Sequence, residues 1–367
     1  MDDSFEIFLA GVPGLEDALR DEARDAGFEG ARAVPGGVEI RGTWETVWRA
    51  NLVIRGAGRV LARIGSFRAF HLAQLDKRAR KFPWAGILRP DVPLRVDVVC
   101  RNSKIYHDRA AKQRIERAIT ETLGAPLSAA AALRVAVRIE DDLVTLSLDT
   151  SGAPLHRRGI KEAVGKAPLR ETLAALFLRQ CGYDGTEPVL DPMCGSGTFV
   201  LEAAEIATRR APGRLRAFAF EELAGFDAAR WEEMKAALRP RETALVFHGA
   251  DRDDGAIRAS RANAARAGVD DVCRFDRAPI SALQRPEGPP GLVMVNPPYG
   301  ARIGDRKLLF SLYGTLGQVL RERFGGWRLG LVTSDGGLAK ATGLPLSAGP
   351  PVAFGGLKVK LYRSEIL

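Results

Sequence analysis

The sequence predicts an α/β protein in two parts, a C-terminal doubly wound parallel sheet behind an N-terminal α+β region. Three observations carry that expectation. After residue 169 the pattern of apolar strand, polar turn and helix repeats. Before residue 150, short alternating runs mix with amphipathic helices. Between them, "SGAPLHRRGIKEAVGKAPL" (Ser151–Leu169) combines Gly, Pro and basic residues without sustained periodicity, which marks a boundary.

In chain order, "GLEDALRDEARDAGF" and "DRAAKQRIERAITETL" read as amphipathic helices, and "LRVDVVC" and "LVTLSLD" as strands of small α+β modules. The division expected is a first module over 1–55, a second over 56–150, a linker over 151–168 and the parallel sheet over 169–367. That sheet is built from "PVLDPMCGSGTFVLEAAEIATRR", "ALVFHGADRDDGAIRASRANAARAGV" and "GLVMVNPPYG" followed by "KLLFSLYGTLGQVLRERF". The stretch "RAPGRLRAFAFEELAGFDAARWEEMKAAL" reads as a helical excursion inserted between the first two.

Composition narrows the function classes. A chain of 367 residues, 46% hydrophobic and 27% charged, is a globular protein long enough for about two domains. Its four cysteines contain no C-x-x-C pair, so neither zinc nor a disulfide framework is expected, and a reducing cytoplasm is the natural compartment. The acidic start and short apolar run of "MDDSFEIFLAGVPG" do not fit a signal peptide, and no run approaches the roughly 18 apolar residues of a membrane span.

Charge is unevenly placed. Residues 41–120 hold 18 Lys and Arg against 6 Asp and Glu, a local +12, so the rest of the +9 chain sums to −3. The basic stretches carry Trp84 and Tyr106 among them, a composition suited to neutralising phosphates and stacking bases. Lys104, Lys112 and Arg114 are candidate RNA contacts, joined by Arg157 and Arg158 on the expected linker.

In a doubly wound sheet, ligands bind outside the carboxyl ends of the strands, so the strand-to-helix turns are searched first. "LDPMCGSGTF" ends a strand on Asp191 and continues through Met193, Cys194, Gly195, Ser196, Gly197 and Thr198. Its glycines let a ligand approach the backbone. No Lys-Ser/Thr follows a second glycine and the third glycine of a dinucleotide fingerprint is missing, which argues against a pyrophosphate. Asp191 would repel phosphate but accept hydrogen bonds from a cationic amine, which suits the methionine end of S-adenosyl-L-methionine. In the next unit Asp251, followed by Arg252, is placed to accept ribose hydroxyls, while Asp253 and Asp254 cap the following helix.

The third turn is "VMVNPPYGARIG". An exocyclic amine on a nucleobase is a poor nucleophile because its lone pair is delocalised into the ring. Asn296 Oδ1 and the Pro297 carbonyl can draw its hydrogens out of plane, with Pro297 and Pro298 fixing the backbone and Tyr299 offering a ring for a flipped base. Neither a metal nor a covalent nucleophile is required, since positioning is most of the catalysis. Adenine N6, guanine N2 and a glutamine amide all satisfy this segment.

Together "DPMCGSGTF", "GADRD", "NPPYG" and "LHRRGIKEAVGKAPLRETLAA" resemble the class I RNA methyltransferases that modify guanine N2, and "VVCRNSKIYH" resembles their RNA-binding THUMP domain. The N-terminal "GLEDALRDEARDAGF" and "GGVEIRGTWETVWRANLVIRGAGRVL" are most similar to the ferredoxin-like plus THUMP portion of bacterial 23S rRNA guanine-N2 methyltransferases. The resemblance implies a seven-stranded Rossmann-like sheet ending in a hairpin at "PPVAFGGLKVKLYRSEI". It implies that Asp191, Gly195 and Gly197 hold the amino-acid part of S-adenosyl-L-methionine, Asp251 its ribose, and Asn296 to Tyr299 the target amine. Structured RNA is the implied partner, rRNA ahead of tRNA. Relatives place an acid four residues after the position of Phe275, where this chain has Pro279, and they often continue into a second methyltransferase domain, so a single modification is expected.

Other residues read more modestly. Cys194 lies within the cofactor turn and reads as a small packing residue, and His71, His107, His156 and His248 have no metal-ligand spacing. The alternatives are a non-catalytic RNA-binding or assembly protein and, weaker, a nicotinamide-dependent oxidoreductase.

Overall fold

A computed structural model of the chain describes residues 4–161, 169–299 and 306–367. They divide into two compact units, one of residues up to 11, 20–155 and 216–237, the other of 12–19, 156–215 and 238–367.

The first unit is built on a seven-stranded sheet. Its elements are β1 (Phe5–Ala10), α1 (Glu16–Asp25, its first residues grouped with the second unit), β2 (Arg32–Val34), β3 (Gly37–Gly42), α2 (Trp44–Val53), β4 (Arg59–Arg68), α3 (Leu72–Arg80), β5 (Leu94–Arg101), α4 (Asp108–Leu123), β6 (Leu133–Glu140) and β7 (Leu143–Asp149). The strand order is β2-β3-β1-β4-β7-β6-β5, antiparallel throughout except for the parallel β5–β6 pair. Alternation explains the strands: Val135, Val137 and Ile139 of β6 are buried while Arg134, Ala136 and Arg138 face away. The ten-residue β4 is shared, pairing with β1 through Arg59–Arg63 and with β7 through Arg68, with a register break between Arg63 and Gly65. Residues 5–149 are thus one sheet, and a divide near 55 between ferredoxin-like and THUMP-like modules is kept as a proposal within it.

The segment expected as a linker is ordered where it is described. Residues 151–155 belong to the first unit, where Ser151 is buried and donates to Asn51 Oδ1 at 2.6 Å, and Leu155 N–H donates to the Gly58 carbonyl at 2.9 Å. Residues 162–168 lie outside the described residues.

The second unit contains α5 (Glu171–Gln180), β8 (Val189–Asp191) and α6 (Thr198–Ala207). The chain then contributes residues 216–237, including α7 (Ala228–Ala237), to the first unit. There Phe220 stacks on Trp48 at 5.9 Å and meets Trp231 edge-on at 5.1 Å, so the excursion is anchored by aromatic packing more than by helix. The second unit resumes with β9 (Phe247–Asp251), α8 (Asp254–Ala267), β10 (Cys273–Arg277), β11 (Leu292–Val295), α9 (Arg306–Arg323), β12 (Arg328–Thr333), α10 (Gly336–Ala341), β13 (Ser347–Ala348), β14 (Val352–Phe354) and β15 (Leu357–Ser364).

These strands run β10-β9-β8-β11-β12-β15-β13, with β14 hairpinned onto β15. The pairs from β10 to β12 are parallel and β15 is antiparallel, so the sheet is doubly wound with a terminal hairpin as expected, with eight strands among the described residues where seven were expected. Every residue of β8 and of β11 is buried, the mark of strands covered on both faces. Strand order reverses at β8, whose neighbours are β9 and β11, and at such a switch point the loops diverge and leave a crevice. Among the described residues no helix is long and apolar enough to cross a membrane.

Candidate functional site

The residues singled out at the three turns converge on the carboxyl ends of the adjacent strands β9, β8 and β11. Asp191 is the last residue of β8, Asp251 the last of β9, and Asn296 follows directly on β11, where Val293 lies opposite Leu190.

Asp191 is 3% exposed and its Oδ1 accepts the Met193 N–H at 3.0 Å. Burial is the largest influence on its carboxyl, which is pushed up to about 8; the Met193 N–H pulls the other way and the nearby Asp251 charge adds to the rise. A carboxyl desolvated to this degree is a strong receptor for a cationic group.

The turn that follows is held from two sides. Gly195 N–H donates to Asp251 Oδ2 at 3.0 Å, and Cys194 N–H to the Ala250 carbonyl at 2.9 Å. From α8, Ser260 Oγ donates to the Gly195 carbonyl at 2.8 Å and Asn263 Nδ2 to the Ser196 carbonyl at 3.0 Å. Gly195 (φ 54°) and Gly197 (φ 84°) both occupy the left-handed region. Their surroundings differ. A Cβ on Gly197 would meet Ser260 Oγ at 3.1 Å and Phe275 Cε1 at 3.3 Å, whereas one on Gly195 would meet nothing within 4 Å. Gly197 therefore serves internal packing, and Gly195 leaves open space beside its backbone.

Thr198 opens α6 and accepts from Lys161 Nζ at 2.7 Å, and Lys161 also pairs with Glu171 at 2.8 Å. Cys194 is buried and its thiol is pushed far up, mainly by burial, so it stays protonated and packs against Ser260. Met193 packs partly against the core cluster containing Leu190 and Val293. Beyond β9, Asp251 Oδ1 accepts the Asp253 N–H at 2.9 Å and Asp253 caps α8 by accepting the Ala256 N–H at 2.8 Å, while Arg252 is exposed. Pro279 and Asp276 are both exposed.

At the end of β11, Asn296 Oδ1 and Tyr299 Oη are buried atoms without a hydrogen-bond partner among the described residues. Unpaired buried polar atoms are costly and call for a partner. Tyr299 is half-buried, its ring packs partly on the core cluster, and burial pushes its hydroxyl up to about 12, so it is a neutral phenol at physiological pH. The segment is supported by Tyr313, which sequence reasoning missed and which is itself bonded to Thr333. Tyr313 of α9, fully buried, donates toward the Pro298 carbonyl at 3.4 Å and Thr333 Oγ1 at 3.3 Å. Residues 300–304 of "VMVNPPYGARIG" lie outside the described residues.

One expected site residue is displaced from its role. Arg158 is 4% exposed and pairs with Glu202 of α6 at 3.4 Å, so its charge is spent inside the second unit and it is not a surface phosphate contact. Arg157 is exposed. In the first unit Lys104 is exposed, Lys112 pairs with Glu116 at 3.7 Å and Arg114 is half-buried on α4. A groove of about 410 Å³ flanks β10, lined by His248, Arg261 and Arg274 among others, and contains none of the expected site residues. No cluster of three metal-ligating side chains occurs among the described residues.

A ligand-approachable glycine turn at a switch point, two acids on adjacent strand ends and an Asn-Pro-Pro-Tyr segment beside them define a doubly wound group-transfer class. Residues 158–358 match the RMKL-like methyltransferase domain family, and the chain belongs to that family; it is a methyltransferase. Residues 6–61 match the RlmL ferredoxin-like domain. Among solved structures, the chain is similar to a predicted N6-adenine-specific DNA methylase from Listeria monocytogenes (29% identity, 98% of this chain and 96% of that one, TM-score 0.87). It is also similar to SMU.472, solved in complex with SAH (25% identity, 100% and 99% covered, TM-score 0.89). TrmN from Thermus thermophilus shares the fold at 22% identity (99% of each chain, TM-score 0.75).

Proposed function

We propose that this methyltransferase transfers the methyl group of S-adenosylmethionine to the exocyclic N2 amine of guanine in RNA, with 23S rRNA as its substrate. The observation that carries the reading is Asn296: an amide oxygen buried at the carboxyl end of β11, without a partner among the described residues, beside a neutral tyrosine. An acceptor of that kind suits a planar amine.

The residues fit the cofactor. The buried Asp191 carboxyl suits its α-ammonium group, the open face of Gly195 suits close approach of its amino-acid part, and Asp251 keeps lone pairs for ribose hydroxyls beyond the two N–H groups it accepts. The SAH complex of SMU.472 supports the same choice. When bound, S-adenosylmethionine supplies an electrophilic methyl group on a sulfonium that leaves as a neutral thioether.

Asn296 Oδ1 and the Pro297 carbonyl accept the two amine hydrogens, which tilts the nitrogen lone pair out of conjugation and toward the methyl carbon. The Pro-Pro backbone, braced at Pro298 by Tyr313, keeps both acceptors in place, so most of the rate gain is positional. As the N–C bond forms the nitrogen becomes acidic, and its proton passes to water without a dedicated base.

RNA is supported by the basic first unit and the RlmL ferredoxin-like match, and rRNA over tRNA by the N-terminal resemblance. Incubation with labelled S-adenosylmethionine and separated 23S rRNA, tRNA and DNA, followed by nucleoside mass spectrometry, tests the proposal. N2-methylguanosine from 23S rRNA is expected. Label in N6-methyladenine, as the Listeria protein's name suggests for that protein, or in tRNA alone, would overturn the substrate assignment.

A further inference from the structure

The amine acceptors after β11 do not by themselves decide which base they hold, since adenine N6 and guanine N2 satisfy Asn296 and Pro297 equally. A discriminating group has to sit beside the ring atom next to the amine. The two purines differ there: N1 carries a hydrogen in guanine and a lone pair in adenine, on the edge by which a flipped base is read.

The neighbouring strand end supplies such a group. β12 runs parallel to β11 with Leu331 opposite Val295, so the residues after Thr333 emerge alongside the Asn296–Tyr299 segment. The two ends are tied together. Tyr313 Oη lies between the Pro298 carbonyl (3.4 Å) and Thr333 Oγ1 (3.3 Å), and Thr333 Oγ1 accepts the Asp335 N–H at 3.2 Å. Burial pushes the Tyr313 hydroxyl far up, and although Thr333 pulls the other way, Tyr299 and the Asp335 charge both add to the rise. Asp335 and Tyr299 therefore act on the same buried hydroxyl.

Asp335 has one oxygen in structural use and one spare. Oδ1 caps α10, accepting the Gly337 N–H at 2.7 Å and the Leu338 N–H at 3.3 Å. Oδ2 has no hydrogen bond among the described residues; Arg306 Nη2 stands 3.8 Å away on a side chain that is 78% exposed. Phe310 of α9, an exposed ring, flanks the same loop, its Cζ 3.6 Å from where a Cβ on Gly337 would stand. A cap alone needs nothing further. A ligand is indicated by the adjacent strand end, where Asn296 Oδ1 and Tyr299 Oη are buried with no partner among the described residues.

We propose that Asp335 is the specificity-determining residue of the amine site, its Oδ2 accepting the N1–H of guanine while Asn296 Oδ1 and the Pro297 carbonyl hold the N2 amine. This deepens the guanine-N2 reading above and rests on it. Adenine in the same pose would turn its N1 lone pair toward a carboxylate oxygen, leaving two acceptors face to face, and a glutamine amide has no ring N–H to offer. A site built to bond a substrate N–H rejects an analogue lacking it more strongly than it rejects a missing apolar contact.

The test measures nucleoside binding by NMR titration to the full chain saturated with S-adenosyl-L-homocysteine. The probes are guanosine, adenosine and 2-aminopurine riboside, which keeps the 2-amine but has a lone pair at N1. The parent should bind guanosine about tenfold more tightly than either of the others. Asp335→Asn keeps the cap through its carbonyl oxygen and puts an N–H donor in place of Oδ2, so it should invert the order of guanosine and 2-aminopurine riboside at an unchanged melting temperature. A purely structural cap would not invert it. A guanosine preference that Asp335→Asn leaves within twofold of the parent's, or a parent that favours adenosine or fails to bind guanosine, would overturn the proposal. Failure of the RNA assignment shows separately: label absent from 23S rRNA, with the guanosine preference present and inverted by Asp335→Asn, removes that substrate and leaves the role of Asp335 standing.

Discussion

Replacing Asp191 by Asn removes an ionisable group from a fully desolvated position of the site while preserving its shape. The carbonyl oxygen of the introduced amide can still accept the Met193 N–H that Asp191 accepts at 3.0 Å. The carboxyl is raised to about 8, chiefly by burial, and so binds its proton more tightly folded than unfolded. Between about pH 4 and pH 8 the folded state therefore carries the extra proton, and stability falls as pH rises through that window and levels off above it. A rise of about four units at about 1.4 kcal/mol each bounds the effect near 6 kcal/mol, and relaxation around the ionised group reduces it to about 2–4 kcal/mol. In thermal denaturation of the cofactor-free protein from pH 5 to 9, Asp191→Asn should be more stable than the parent by several degrees at pH 8.5, with the difference clearly smaller at pH 5. The same variant should bind S-adenosylmethionine about 100-fold more weakly, because the α-ammonium loses its buried counter-charge. Parent and variant melting curves that stay parallel across pH, or unchanged cofactor affinity, would refute the reasoning.

Three further outcomes are expected. Gly195→Ala should cost only about 1 kcal/mol of stability, since its Cβ enters open space at a left-handed position, yet abolish measurable cofactor binding; Gly249→Ala, whose Cβ would meet Phe275 Cδ1 at 2.5 Å, should lower the melting temperature far more, by the equivalent of about 1–3 kcal/mol. Ser260→Ala with Asn263→Ala should weaken S-adenosylmethionine binding about three- to tenfold in titration calorimetry, because the Gly195 and Ser196 carbonyls lose their donors from α8. Arg158→Ala should destabilise the protein by about 3–5 kcal/mol in chemical denaturation by removing a buried ion-pair partner of Glu202.

The strand-turn-helix repeats were legible because each is local: an apolar run, a turn with glycine or acid, then a helix start. That local grammar put Asp191, Asp251 and Asn296 on three turns, and the parallel sheet brings those turns to neighbouring strand ends. Residues that act across the fold were not legible. Ser260 and Asn263 lie three apart on α8 and read as ordinary helix surface, although two buried polar residues at that spacing are a usable signal once the helix is known to face the glycine turn. Tyr313 reaches Pro298 from α9, a contact that no spacing in sequence announces. Arg158 read as a phosphate contact because it lies on the expected linker; its burial goes with its pairing to Glu202 on α6, 44 residues away. The excursion between Asp191 and Asp251 read as helical filler, and its Phe218, Phe220 and Trp231 are the residues that show it is held by aromatic packing in the first unit.

The central claim is that Asn296 Oδ1 receives the substrate amine. Single-turnover methyl transfer to 23S rRNA by Asn296→Ala, with S-adenosylmethionine affinity measured in parallel, tests it most directly. Loss of a preorganised acceptor predicts a rate reduced about 10²- to 10³-fold, with cofactor affinity changed less than about tenfold. A transfer rate within threefold of the parent would contradict the claim.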